Sequence, residues 1–413
     1  MVAQEIMKKF FSTPLLLVLF FGATMFGMSF RTPMWMDEYV FYRLALAFPE
    51  SYSMNADIFF VDRPAMLSPN IDWASRGLDR ETMFRMVYDT PVYPHTPLTV
   101  IAVSPLVKGL NFLADREVIP HIEEELGYPP GAAKDTVKFQ SMRAEFITNI
   151  LRTISIFFSM ATMYLVYKLL EKKVGKNALL FAVPIAGSIM MLYGAYLFYW
   201  DVFMMFFFTL TLYFMEVKPE SKWKYVTACC LVNTKMFLGI AFLFPLFVKQ
   251  FIVDYKKSGW IWPIPGWKMA LPILSLLPFY IYSLTIVGDP LYFWHHYSAQ
   301  VPLHDFIYTL NTTFDYVMIF VNLGMPFYLL LTTPIILLIR KYPSYVIFWA
   351  MSMFYAWATG LGITHTSTMV YSGALVFPLV AHEYNLIGRV KSFAYRVKCK
   401  SFRLYLAHKG KNV

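Results

Sequence analysis

Residues 11–30 read FSTPLLLVLFFGATMFGMSF, a run without a single charge. The hydrocarbon core of a bilayer takes about 20 apolar residues of helix. In that medium the backbone must satisfy its own hydrogen bonds, which helices do. Comparable runs recur to the C-terminus. Composition agrees, with 58% hydrophobic, 19% aromatic and 15% charged residues in 413, against about 25% charged in a soluble domain. The expectation is an all-α polytopic membrane protein with roughly ten membrane helices. Cys229, Cys230 and Cys399 give no disulfide framework.

Charge sets the orientation. The net charge is +10, unevenly placed. After Glu383 there is no acid, while Arg389, Lys391, Arg396, Lys398, Lys400, Arg403, Lys409 and Lys411 follow. Residues 387–413 therefore read as a cytoplasmic tail beside anionic headgroups. Basic residues flank spans instead of forming a domain, which argues against nucleic acid as a partner. With Lys8 and Lys9 inside, the first span emerges at Arg31, and residues 31–144 form a large extracytoplasmic loop. Its 15 acids against 11 bases are too acidic for an inside loop. The apolar piece 97–114 is interrupted by Pro105 and Lys108 and reads as an interfacial helix or helix pair. A true span there is the alternative.

Residues 145–386 then form the membrane bundle. Spans at 146–167, 178–198, 202–216, 268–287, 318–339, 344–360 and 368–386 place every Lys- or Arg-bearing turn inside. Residues 225–248 fit less simply, because a single span would put Lys249, Lys256 and Lys257 outside. A hairpin of two half-length helices, turning near Thr234–Gly239, keeps them inside, and irregular backbone at that depth is tolerated where it lines a cavity. No internal repeat is visible.

Several polar residues stand out against this background. Asp37 and Glu38 lie side by side where the first span meets its long loop. Acids in a first helical turn suit the macrodipole, but a carboxylate at headgroup height could also act as a general base on a hydroxyl. In VYPHTPL (92–98), His95 lies between two prolines and would suit a phosphate if it faces the bilayer rim. Asp201 starts a span. Lys235 sits in the middle of an apolar stretch, where a lysine costs about 2.5–3.5 kcal/mol to insert, and an anionic partner is the natural reason. Arg152, near the outer start of the second span, could snorkel. The His295–His296 doublet points its rings apart and predicts no metal site.

Taken in order, these residues resemble the C-type (GT-C) membrane glycosyltransferases. The nearest branch is the protein O-mannosyltransferase and aminoarabinose-transferase group. The resemblance is clearest over residues 10–250 and looser at GDPLYF (288–293) and YSGALVFP (371–378). It implies a GT-C-like bundle and an inverting transfer of one sugar from a polyprenyl-phosphate donor to an extracytoplasmic acceptor. Asp37 matches the first-loop catalytic acid, Glu38 its companion and Asp201 the second acid. Lys235, His95 and Arg152 match donor-phosphate positions. Thr96 stands where the family has proline, and Arg152 and Asp201 lack the prolines that usually follow. No cofactor is expected. Relatives that transfer whole oligosaccharides use a divalent metal, and the grouped acids here are too few to predict one. The membrane would be the plasma membrane in a prokaryote, which compact size favours, or the endoplasmic reticulum in a eukaryote. A transporter or flippase for a lipid-linked or anionic solute is the other reading.

Overall fold

A computed structural model describes residues 13–29, 36–53, 85, 89–93, 97–127, 129, 137–181, 197–260, 264–300, 332–358 and 363–409. Over these residues the protein is an all-α membrane protein. Five helical stretches are long and apolar enough to cross a membrane: Leu98–Glu125, Arg143–Phe181, Trp200–Val217, Met236–Ser258 and Trp267–Val287. Most of the expected spans 178–198 and 318–339 falls outside the described residues.

The central element is α5, Val137–Val174. Its 38 residues reach about 57 Å, more than a bilayer core needs. One stripe of α5, with Ala144, Ile147, Leu151, Ser155, Ser159, Thr162, Val166 and Leu169, is buried at three- and four-residue spacing. The small polar members of the stripe let neighbouring backbones come close. Helices α1 (Thr13–Ser29) and α6 (Trp200–Val217) pack along α5.

Helix α2 (Met36–Ala47) carries Asp37 and Glu38 in its first turn. It packs against α3 (Leu98–Leu113), which continues through a π-helical turn, Ala114–Val118, into α4 (Ile119–Leu126). The expected break at Pro105 does not occur: α3 runs on through it and is tied on either side of it to the chain just after α2. Ser104 donates to the Phe48 carbonyl at 3.2 Å and Lys108 to Glu50 at 3.0 Å. Asn111 accepts from Tyr42 at 3.0 Å, and Asp115 pairs with Arg143 on the first part of α5. By length and composition α3–α4 could span. Its polar ties run to α2 and to α5 upstream of Arg152.

The hairpin of residues 223–258 has unequal arms. Helix α7 (Trp223–Val232) has 10 residues and α8 (Met236–Ser258) has 23, so only the first is half-length. Between them the chain reverses. Asn233 donates to the Cys229 carbonyl at 2.9 Å and Thr234 to that of Cys230 at 2.7 Å, satisfying carbonyls that the helix end would orphan. A Cβ on Gly239 would lie 2.5 Å from the Leu231 carbonyl oxygen and 2.7 Å from the Val232 Cα, so the arms touch backbone to backbone. Thr211 on α6 bonds Thr227 on α7 at 2.8 Å.

The rest of the chain runs through 3-10 turns at Trp267–Met269 and Leu271–Leu276 into α9 (Leu277–Val287) and α10 (Tyr292–Gln300). Helices α11 (Pro343–Ala358) and α12 (Ile363–Glu383) pack together, and α13 (Leu386–Lys409) carries the basic tail.

Basic turns from distant segments gather at one end of the bundle. Glu216, near the end of α6, pairs with Lys173 of α5 at 3.3 Å and with Lys249 of α8. Lys341 and Tyr342, before α11, reach Glu383 at the end of α12 at 2.6 and 2.7 Å. Lys249 thus returns to the end of α6 beside Lys218, as the hairpin reading requires. Gly239→Val should force α7 and α8 apart and cost roughly 1–3 kcal/mol or more, read as a lower thermal midpoint in detergent. Gly109→Ala, where an added Cβ meets nothing within 4 Å, should leave the midpoint unchanged.

Candidate active site

The opposite end of α6 holds two buried ion pairs. Glu38 and Arg152 are each 1% exposed. Arg152 Nε donates to Glu38 Oε1 at 2.8 Å and Nη2 to Oε2 at 2.5 Å, a bidentate fork. Nη1 donates to the Ser29 carbonyl at 2.8 Å and to Asn149 at 3.2 Å. Glu38 Oε1 also accepts the Phe198 backbone N–H at 2.9 Å. One carboxylate and one guanidinium therefore tie the end of α1, the first turn of α2, the middle of α5 and the chain entering α6. The guanidinium expected at a phosphate is engaged by Glu38.

The second pair is Asp201 with Lys235. Lys235 ends the turn after α7 in extended conformation (φ −145°, ψ 92°), which sends its side chain toward the head of α6. Its ammonium donates to Asp201 Oδ1 at 3.0 Å and to the Tyr355 hydroxyl at 2.9 Å, with the Tyr199 hydroxyl at 3.4 Å. It also lies 4.7 Å from the centre of the Tyr199 ring, a geometry that stabilises a cation. Tyr355 bonds Asp201 Oδ2 at 3.4 Å. Asp201 is 1% exposed and Lys235 7%.

These two pairs are neighbours. Phe198, held by Glu38, precedes Asp201 by three residues, at most about 10 Å of chain. Phe41 of α2 packs on Phe198 and Trp200 with ring centres 4.6 and 4.7 Å apart, and Tyr93 stacks on Trp200 at 5.9 Å. Asp37 precedes Glu38, so its backbone is at this end of the bundle, and its side chain lies outside the described residues. His95 also lies outside them.

An aromatic layer underlies the second pair. Phe208 follows Asp201 by seven residues, Phe242 follows Lys235 by seven, and Phe348 precedes Tyr355 by seven. Seven residues are two helical turns, about 10.5 Å, so Phe208 and Phe348 lie on the faces of Asp201 and Tyr355, while Phe242 lies about two turns into α8 from the turn that holds Lys235. Phe208 and Phe348 stack at 4.0 Å, and Phe242 meets Phe348 edge-on at 5.5 Å. All three are buried. Lys249, seven residues beyond Phe242, belongs to the Glu216 cluster at the other end.

Sequence reasoning missed Tyr199 and Tyr355. Tyr199 was within reach, since FYWD places it two residues from Asp201. Tyr355 carries no local signal among 28 tyrosines. His295 of the histidine doublet bonds Asp289 at 2.7 Å. Asp289 also accepts the Leu291 N–H at 2.8 Å. That backbone bond and the histidine hold its carboxyl below the usual range.

Compared with known proteins, the chain matches no family model, no curated protein and no solved structure. Its function has to be argued from its own residues.

Breaking a buried pair by removing one partner costs about 3–5 kcal/mol because the other charge stays buried, whereas apolar replacement of both is often tolerated. Arg152→Leu should therefore lower the thermal midpoint sharply. Arg152→Leu combined with Glu38→Leu should recover much of the loss, though the Phe198 N–H and Ser29 carbonyl still lack their partners.

Proposed function

We propose that this protein is an inverting glycosyltransferase of the C-type membrane class. It moves a single sugar from a polyprenyl-phosphate donor to an extracytoplasmic hydroxyl acceptor on a protein, glycan or lipid. The observation that carries this reading is the buried Asp201–Lys235 pair. It lies at one end of the bundle, under two tyrosine hydroxyls, a few residues of chain from the helix that bears Asp37. A lysine buried in a membrane protein calls for an anion, and here one stands at a helix break close to a carboxylate pair.

The chemistry assigns distinct tasks. Asp37 takes the proton from the acceptor hydroxyl as its oxygen attacks the anomeric carbon. The bond from that carbon to the phosphate oxygen breaks, and the electron pair leaves with the polyprenyl phosphate. The sugar passes through an oxocarbenium-like state, and a single displacement inverts the centre. Lys235, fixed before the reaction by Tyr199 and Tyr355, stabilises charge growing on the departing phosphate. Asp201 holds the ammonium in place until the phosphate arrives. Glu38 and Arg152 are positioning residues that set the depth of Asp37. His95, if it reaches the phosphate, adds a second donor.

The transporter or flippase reading shares the buried lysine. Against it stands the layer of Phe208, Phe242 and Phe348, which among the described residues lies between the two charged ends along α6, α8 and α11. The orientation follows from charge, with the Glu216 end facing the cytoplasm.

Purified protein with a panel of synthetic polyprenyl-phosphate sugars should give transfer to a hydroxyl acceptor. Asp37→Asn should lower the rate by about 10²–10⁴-fold, the usual contribution of a general base, with the thermal midpoint kept. Lys235→Ala should lower it comparably, and Asp201→Asn less. Wild-type rates in Asp37→Asn would remove the proposed base. Solute movement across vesicles without any sugar transfer would favour the transporter.

A further inference from the structure

At the Glu216 end a second polar feature has no part in sugar transfer. A cavity of about 450 Å³ opens between the start of α7, the end of α8 and the turn at Trp267–Met269. Its charged lining is Lys224, Lys249, Lys257 and Lys268 against Glu220 and Asp254, two positive charges in excess. Asp254 is already engaged, accepting the Gly266 N–H at 3.0 Å and the Gln250 amide at 2.8 Å. Gly266 has φ +82°, and a Cβ there would lie 2.8 Å from the Phe251 nitrogen, so only glycine lets this segment press onto α8. That approach brings Lys268 to the cavity that Lys257 also lines. Lys249 is paired with Glu216, and Lys224 donates to the Pro219 carbonyl at 2.7 Å. Among the described residues Lys257 and Lys268 have no ion-pair partner.

A second chamber of about 210 Å³ shares Tyr225, Trp267 and Lys268 with the first and continues between Cys229, Leu271 and Pro272. Beyond it Leu271, Leu274 and Leu277 are exposed at 43%, 57% and 52%, forming an apolar outer face. Trp223, Tyr255, Trp260 and Trp267 are also exposed around the same end, the composition of an interfacial aromatic belt. The basic cavity therefore stands at headgroup height, with an apolar slot leading from it toward the lipid.

We propose that this two-chambered cavity is a binding site for an anionic phospholipid of the leaflet at the basic end. The headgroup phosphate sits between Lys257 and Lys268, with Lys224 behind, and the start of one acyl chain lies in the slot by Cys229 and Leu271. Clustered lysines between membrane helices suit such headgroups. A free phosphate would use the basic chamber alone, so the adjoining apolar chamber, which shares Tyr225, Trp267 and Lys268 with it, commits the site to lipid.

The test uses the full-length protein in nanodiscs of phosphatidylcholine, with or without phosphatidylglycerol, followed by native mass spectrometry after mild detergent extraction. Wild type should retain phosphatidylglycerol over phosphatidylcholine. Lys257→Gln with Lys268→Gln should retain roughly tenfold less or lower, given the attraction expected for each lysine near a membrane. Lys268→Gln alone, at an exposed side chain, should show an intermediate loss and serves if the double variant fails to fold. Cys229→Trp, which fills the apolar slot, should also lose the lipid. Retention equal to wild type in the lysine variants would overturn the proposal. Stabilisation by inorganic phosphate equal to that by phosphatidylglycerol, unaffected by Cys229→Trp, would overturn it in favour of a free anion.

Discussion

Apolar packing between helices leaves their relative depth weakly fixed, because sliding by a turn exchanges one set of methyl contacts for another. A buried ion pair allows no such exchange. Glu38 and Arg152 accept the cost of leaving water only in a bidentate geometry with their remaining atoms hydrogen-bonded. The Ser29 carbonyl, Asn149 and the Phe198 N–H supply those bonds. The pair therefore sets where α1 ends, where α2 begins and where the chain enters α6, all against α5. Asp37 inherits its height from this arrangement, since it neighbours Glu38 on the same helical turn.

Phe198–Asp201 transmits that constraint to the second pair. Phe198 is fixed by its own backbone N–H, and Asp201 follows as the second residue of α6. Asp201 in turn fixes Lys235, and through Tyr355 it fixes α11. Two charged contacts linked by a short run of chain thus position α1, α2, α5, α6, the hairpin and α11. At the far end of α6, about 22 Å away by helical rise, the Glu216 cluster repeats the strategy with Lys173 and Lys249. Between these ends the interior hydroxyls of Thr209 and Thr211 turn back to their own helix carbonyls, and Thr211 also meets Thr227 across to α7.

Much of this layout is legible from local sequence. Lys235 announces itself by the cost of placing an ammonium inside an apolar run, and the lysines at 249, 256 and 257 imply the reversal of α7 into α8. Partnerships across long separations are not legible. Glu38 and Arg152 are 114 residues apart, and each alone looks like an ordinary residue near a span end. Arg152 was expected to serve a phosphate, and only its fold-dependent contact with Glu38 reveals the present arrangement. Pro105 misled for a different reason: helix breaking is a local tendency, and α3 runs on through Pro105 with Ser104 and Lys108 tied to the chain after α2. Equal arms for the hairpin were expected because hydropathy marks apolar length without marking where a helix ends in a basic turn.

The seven-residue spacing of polar and aromatic groups gives the bundle its direction. Along α8, Phe242 and Lys249 share one face and Lys235 stands in the turn just before the helix, so the chain presents a charge, a ring and a charge in succession. Phe208 on α6 and Phe348 on α11 meet Phe242 at the middle level. Along this line of described residues, an ion moving from one lysine toward the other would meet stacked rings with no hydrogen-bonding partner, at a cost of several kcal/mol for an unpaired charge. Among the described residues this ring layer separates the two charged ends along α6, α8 and α11. That separation suits the transferase proposed above, whose donor and acceptor would meet on one side only. It also leaves Lys235 to the partners at its own end, the Asp201 carboxylate and the Tyr199 and Tyr355 hydroxyls.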